Sequence, residues 1–403
     1  MARMVSDMKT FTRECDKVLD MFEKRGYPSG FLVELKDEVV RKRRNSVFLP
    51  LLGTGGSATM VSNIIERDNS MSCILTYSLD SINSTLAMET CNKNHSQITE
   101  FILAGFPYFH GYQPALFIIF LIIYIIILTG NTLILIAVVT DRKLYKPMYF
   151  FLCNLAVLDI IFTTTTIPKM LALFLINANT ISFVECFAQM CISHTMGEFE
   201  CLLLMIMAYD RYTAVYNPLH YMSIMNKTFN ILMTALSFAV ACTVAVSITI
   251  FTAQFPFRGT NKINHCFCDH FFIARLSCAD ITPLNIWSMS IIIVVVFMPF
   301  CLVVYSYINI FKTVLKMNSV AGRQKTFSTC SSHLTVVIIY YVSIVISSSS
   351  YRSDVSDEFH ALGSIFFSVF APTLNPIIYT LRNKDVQEAV KNFIKARIIV
   401  HNI

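Results

Sequence analysis

Charge is what this chain of 403 residues has least of. Asp, Glu, Lys and Arg together make up 14% of it against 55% hydrophobic residues, and the mean hydropathy is +0.57. So little charge excludes an ordinary soluble domain of this size and points to a polytopic membrane protein. Cys-x-x-Cys pairs at zinc-site spacing are missing, and the thirteen cysteines are too scattered for a disulfide mini-scaffold. Also absent are a His-x-x-x-His pair, a Gly-rich phosphate loop, a repeated half with interrupted helices and a line of intramembrane carboxylates, which disfavours a membrane enzyme or a transporter. No metal or cofactor is implied.

What the chain has instead is long apolar runs. A bilayer core needs roughly 20 consecutive apolar residues per helix, and such runs centre on 115–139, 148–173, 187–207, 231–250, 286–310, 329–347 and 362–381. The serines 347–350 dilute the sixth. The expected fold is therefore an all-α membrane protein, a seven-transmembrane helix bundle. The loops after the first, third and fifth runs and the C-terminal tail carry most of the Lys and Arg, among them Arg142, Lys143, Lys146, Lys312, Lys316 and Arg323. That asymmetry places the C-terminus inside and the N-terminus outside. The net charge of +6 is what an inward basic rim produces, and it requires no nucleic-acid partner. After the last run, Val386, Ala389, Val390, Phe393 and Ile394 share one helical face beside Lys391, Lys395 and Arg397. Such a pattern suits a short amphipathic C-terminal helix lying on the membrane lipid.

The third run ends in Met207–Tyr221, MAYDRYTAVYNPLHY. An Arg at the bilayer boundary costs a few kcal/mol unless it is paired or hydrated. Asp210 and Arg211 are then either snorkelling residues that end a helix or a functional pair. The wording of this stretch resembles the third helix and second inner loop of odorant receptors, a family of rhodopsin-like G-protein-coupled receptors. Similar wording recurs in LYKPMYFFL (144–152), with Tyr145 in place of the family's usual His, in KTFSTCSSHL (325–334) and in PTLNPIIYTLRN (372–383). The likeness covers about 94–399, and no Lys occurs from Ser353 to Asn383, where a retinal photoreceptor needs one.

The resemblance implies roles. Asp210, Arg211 and Tyr212 form the latch that opens on engaging a G protein. Tyr307 stabilises the freed Arg211, Tyr379 turns inward above Pro376, and Lys325 begins the inner end of the helix that swings outward. Asn131, Asp159, Glu200 and Asn375 form a polar core in mid-bilayer. A small odorant is the expected ligand and a stimulatory, olfactory-type G protein the partner, acting at the plasma membrane. The alternatives are a non-odorant receptor of the same superfamily or a polytopic transporter. A disulfide from Cys186 to Cys268 is implied. The family's further loop bond meets Arg258 here, so Cys266 is expected to pair with Cys278. A metal site at His265, Cys268 and Asp269 is disfavoured, because an oxidised sulfur is no thiolate ligand. Phe238 replaces a Trp favoured in the family.

Helical spacing from Cys186 puts Met190, Ser193, His194, Gly197 and Glu198 on a pocket-facing stripe, with Tyr341, Ile344, Val345 and Ser348 opposite on the sixth helix. His194 and Glu198 either satisfy each other or the backbone, or they meet a ligand. In the second case Glu198 favours cationic or hydrogen-bond-donating odorants. Amine receptors carry Asp where Ser193 stands. Residues 1–90 read differently from the rest, with charge clusters and a Gly/Ser-rich patch and no secretory signal. They are expected to be an atypical, disordered or gene-model extension before a receptor starting near Met88. Asn94 and Asn83 fit the glycosylation sequon.

Overall fold

The computed structural model describes residues 98–106, 111–257, 260–349 and 357–401. Residues 1–90, with Asn83, and Asn94 and Arg258 lie outside the described residues. So do the side chains of Lys325, Ser348 and Ile394.

Seven helices are long and apolar enough to cross a membrane. They are α1 (Gln113–Thr140), α2 (Pro147–Ile176), α3 (Phe183–Tyr216), α4 (Lys227–Ala253), α5 (Thr282–Leu315), α6 (Val320–Ser349) and α7. The last is built from Asp357–Ile365, a π-helical turn at Phe366–Phe370 and Ala371–Arg382. A further helix, α8 (Lys384–His401), follows.

Their ends follow from local chemistry. At the start of α3 the Ser182 side chain accepts from Glu185 N while the Glu185 carboxylate accepts from Ser182 N, a reciprocal cap. Asn226 caps α4 by accepting from Phe229 N at 2.9 Å. Asn177 ends α2 in the left-handed region at φ 53°. Pro168 and Pro376 sit inside helices, where each removes a backbone donor.

Lipid-facing and core-facing sides separate clearly. On α1, Ile118, Ile119, Ile122 and Ile125 are exposed, whereas Ile127, Asn131 and Ile134 are buried. A Cβ at Gly130 would lie 2.8 Å from the Pro376 Cβ, so glycine is what lets α1 press against the proline of α7. Two main apolar clusters form. The inner one gathers Leu203, Leu204, Tyr307, Val337, Tyr340 and Tyr379, and receives Val386 and Ala389 of α8. The outer one gathers Phe101, Phe187, Cys186, Cys266, Phe267 and Cys268.

A small sheet closes the outer end. Strand β1 (Glu100–Leu103) pairs antiparallel with β2 (Thr180–Ser182) and parallel with β3 (Lys262–Ile263). Phe101 stacks on Phe183 at 5.7 Å and meets Phe257 edge-on at 6.1 Å. Cys186 and Cys268 are joined by a disulfide, which pins the second outer loop to the top of α3.

Candidate functional site

Beneath that roof lies a cavity of about 480 Å³, lined by α3, the second outer loop and parts of α2, α4, α5, α6 and α7. Its walls are mainly apolar, among them Phe162, Ile248, Val295, Val296 and Phe367. Two π-helical turns border it, Ile292–Phe297 of α5 and Phe366–Phe370 of α7. Such bulges recur at functional sites because they re-aim side chains within a helix.

Of the residues expected from helical spacing, Met190, Ser193, His194, Gly197, Glu198 and Ile344 line the cavity. Tyr341 and Val345 do not. The sixth helix is turned by about one residue from the expected register, so Tyr340 faces inward and its hydroxyl donates to Gly197 O at 2.6 Å. Tyr341 instead packs on Phe300, 4.8 Å between ring centroids, with its hydroxyl 3.3 Å from Cys201 Sγ. Val345 is 65% exposed and points to lipid. The reason is that α6 is apolar around most of its girth, so hydrophobicity alone does not fix its rotation.

His194 and Glu198 do not satisfy each other. Among the described residues the Glu198 carboxyl makes no hydrogen bond, and its buried Oε2 and the Ser193 hydroxyl are without partners. The His194 ring meets the His270 ring edge-on at 5.8 Å. His270 was not foreseen from the sequence. It sits on the short helix His270–Ala274, held between the hydroxyls of Thr252 at 3.2 Å and Ser288 at 3.1 Å. Burial holds its imidazole down to about 3.

The roof carries a second polar network. His265 Nδ1 accepts from Phe267 N at 3.2 Å, which leaves Nε2 to meet the Ser364 hydroxyl at 2.9 Å. Asp269, whose carboxyl is raised by burial, accepts from Phe271 N at 2.9 Å close by. His265 is fully buried, and burial pushes its imidazole down to about 3. His265 and Ser364 thereby tie the second outer loop to α7. Among the described residues no cluster of His, Cys, Asp and Glu could hold a metal ion.

The expected bridge between Cys266 and Cys278 is not formed. Cys266 is buried in the outer apolar cluster. Cys278 lies against the start of the loop, where its N–H donates to Pro256 O at 3.1 Å beside the Phe257–Ser277 bridge.

In mid-bundle, Asn375 Nδ2 lies 3.2 Å from both Asp159 Oδ1 and Glu200 Oε1. Asn131 is buried too, donating to Ile127 O at 3.1 Å. The four polar residues of α1, α2, α3 and α7 therefore share one region around a single amide donor.

At the inner end, Asp210 Oδ1 accepts from the Tyr221 hydroxyl at 2.7 Å, and Arg211 Nε stands 3.9 Å from Asp210 Oδ2. Arg211 Nη2 and the buried Tyr379 hydroxyl have no hydrogen-bond partner among the described residues. Tyr212 stacks on Tyr216 at 5.2 Å. Tyr307 holds α5 to α6, 2.7 Å from His333 Nδ1 and 3.3 Å from Cys330 O. Tyr221 and His333 were missed by sequence reasoning, although both lie inside motifs it had singled out. Helix α8 docks on the first inner loop and the start of α2, with Tyr149 of α2 donating to Asp385 at 2.9 Å and Lys146 of the loop standing 3.9 Å from the same carboxylate.

The fold is similar to that of squid rhodopsin, with a TM-score of 0.59, 16% identity, and coverage of 72% of this chain and 87% of that one. Human olfactory receptor 2AT4 is 44% identical over 301 residues, which is 74% of this chain and 94% of that protein. Human olfactory receptor 13D1 is 40% identical over 329 residues, 81% of this chain and 93% of that protein. The olfactory receptor family profile matches residues 120–397. With the profile spanning most of the chain and these relatives matched over nearly their full length, the chain belongs to the olfactory receptor family and is a multi-pass plasma-membrane protein with the rhodopsin-like seven-helix fold.

Proposed function

We propose that this receptor takes a small volatile or water-borne odorant into the cavity under the outer sheet and passes the event to a stimulatory, olfactory-type G protein that raises cyclic AMP. The observation that carries the reading is the cavity itself. Its volume falls in the range of small-molecule sites, its walls are mainly apolar, and a few polar groups, those of α3 among them, stand ready to orient a ligand.

A ligand acts by preferring one arrangement of the bundle, and it shifts the population only by its differential affinity. Helix α3 joins the two ends, since it carries Ser193, His194 and Glu198 at the cavity, Glu200 at the polar core and Asp210 and Arg211 at the inner end. In the proposed activation Arg211 leaves Asp210 and moves toward Tyr307, Tyr379 enters the space vacated, and the inner start of α6, with Lys325, moves outward to admit the G protein. The amide of Asn375 and the carboxylates of Asp159 and Glu200 rearrange with it, beside Asn131. Glycosylation at Asn94 or Asn83, and contact of α8 with membrane lipid, belong to the same reading.

A cyclic-AMP reporter screen against an odorant panel, run on surface-displayed protein started at Met1 and at Met88, tests it. A concentration-dependent rise that disappears in Arg211→Ala is expected. Silence to every odorant from a receptor counted at the cell surface would overturn the reading.

A further inference from the structure

The cavity wall carries an acid with no hydrogen-bond or ion-pair partner among the described residues. Glu198 is 9% exposed and lines the cavity. Among the described residues it has neither an ion pair nor a hydrogen bond, and its Oε2 is buried without a partner. Earlier on the same helix, the Ser193 hydroxyl is also buried and has no partner among the described residues, and the His194 ring, edge-on to His270, borders the same space. Buried polar groups are nearly always paired, so an orphaned acceptor at a cavity wall points to a partner that arrives from outside.

Resting on the odorant-receptor reading above, we infer that the preferred ligands are small primary amines, bound as ammonium ions with the nitrogen at Glu198 and the hydrocarbon part against Ile248, Val295 and Phe367. A primary ammonium carries three N–H donors and no acceptor. The carboxylate of Glu198, the hydroxyl oxygen of Ser193 and an imidazole nitrogen of His194 are three acceptors on one stretch of α3. An alcohol offers one donor and no charge, so it leaves most of this set unmet. A carboxylic acid carries no ammonium donors for this set, and its natural partner on the lining is Arg275 of the second outer loop. Ile248, Val295, Val296 and Phe367 supply an apolar stretch that suits a short alkyl or cycloalkyl tail, while Asp269, His270, Arg275, Asn285 and Ser288 line other parts of the cavity.

The test compares hexylamine, cyclohexylamine, 1-hexanol, cyclohexanol, hexanoic acid and methyl hexanoate as agonists of the full-length receptor in a cyclic-AMP assay, with surface display counted in parallel. The amines are expected to be the most potent members, and Glu198→Gln is expected to weaken them by roughly tenfold or more, as loss of one partner of a buried charge pair does. The same substitution should move the alcohols much less, and Glu198→Asp should retain part of the amine preference. Should Glu198→Gln fail to reach the surface, the ranking in the unsubstituted receptor and in Glu198→Asp decides the matter. Responses to alcohols or the ester with amines no better, or amine potency unchanged in Glu198→Gln, would overturn the amine assignment while leaving the odorant-receptor reading standing. Silence to the whole panel and to other odorants would overturn both.

Discussion

Tyr221 is closer to Asp210 than Arg211 is. Its hydroxyl donates to one carboxylate oxygen at 2.7 Å, while the Arg211 Nε lies 3.9 Å from the other. The resting partner of this buried carboxylate is thus a tyrosine of the second inner loop, on the single turn Tyr221–Ile224. The guanidinium beside it is held loosely, with one terminal nitrogen unbonded. Hydrogen bonds to charged groups contribute about 1.5–3 kcal/mol.

Tyr221→Phe is accordingly expected to raise ligand-independent cyclic AMP, the active-to-inactive ratio rising by roughly tenfold or more if the bond is lost on activation. Asp210→Asn should act in the same direction. Basal reporter output normalised to surface receptor measures it. Basal output at the unsubstituted level in both variants would show that this bond does not restrain the receptor.

Tyr307 joins α5 to α6 through His333 in this arrangement, and in the proposed activation it receives Arg211. Tyr307→Phe removes both contacts, so the ratio of evoked to basal signal should fall. His333→Phe removes only the resting contact, and it should raise the basal level while sparing the evoked maximum. Dose–response curves for the two variants side by side separate these outcomes.

The outer-loop cysteines should fall into two classes. Cys186→Ser or Cys268→Ser removes the bridge from α3 to the loop, with an expected cost of about 2–5 kcal/mol and loss of surface display. Cys278→Ser and Cys266→Ala should be tolerated far better, because the structure forms no bridge between these two residues. A Cys278→Ser receptor as poorly displayed as Cys186→Ser would show a second bridge after all.

The roof should weaken in acid. Burial holds His265 and His270 down to about 3 when folded, below the ordinary value of about 6.5. A group whose folded value is depressed in this way binds more protons when unfolded, so stability rises with pH between the two values. The contribution is complete above about pH 6.5 and is lost on acidification, by up to about 1.4 kcal/mol per pH unit for each histidine. Asp269, raised by burial, works in the opposite sense above the ordinary carboxylate range. Thermal unfolding of detergent-purified receptor at pH 7.5 and pH 5.5 reads the effect. His265→Phe should flatten the dependence, and an unchanged slope would assign it elsewhere.

The helices and their order were legible because lipid demands long apolar runs and leaves little freedom in counting them. The α3 stripe was legible too, since a disulfide cysteine at its start fixes which way the helix faces. The rotation of α6 was not. Tyr340 and Tyr341 are adjacent, equally aromatic and flanked by apolar residues on both sides, so only packing on Gly197 and Phe300 separates them. Adjacency to known motifs hid Tyr221 and His333, whose importance comes from reaching residues distant in the chain. The two π-helical turns carry no glycine or proline within them and left no mark in the pattern.

Strand β1 has β2 on one side and β3 on the other, and β3 comes from a loop made only after four membrane helices are complete. The ceiling over the cavity therefore cannot be finished as the chain first emerges. Its earliest segment must wait, with a row of backbone donors and acceptors unmatched, until the later strand arrives. Until then the young protein has helices in place but an open top, a stage at which quality control in the secretory route could recognise it and at which a substitution such as Phe101→Asp would do more harm than in the finished receptor.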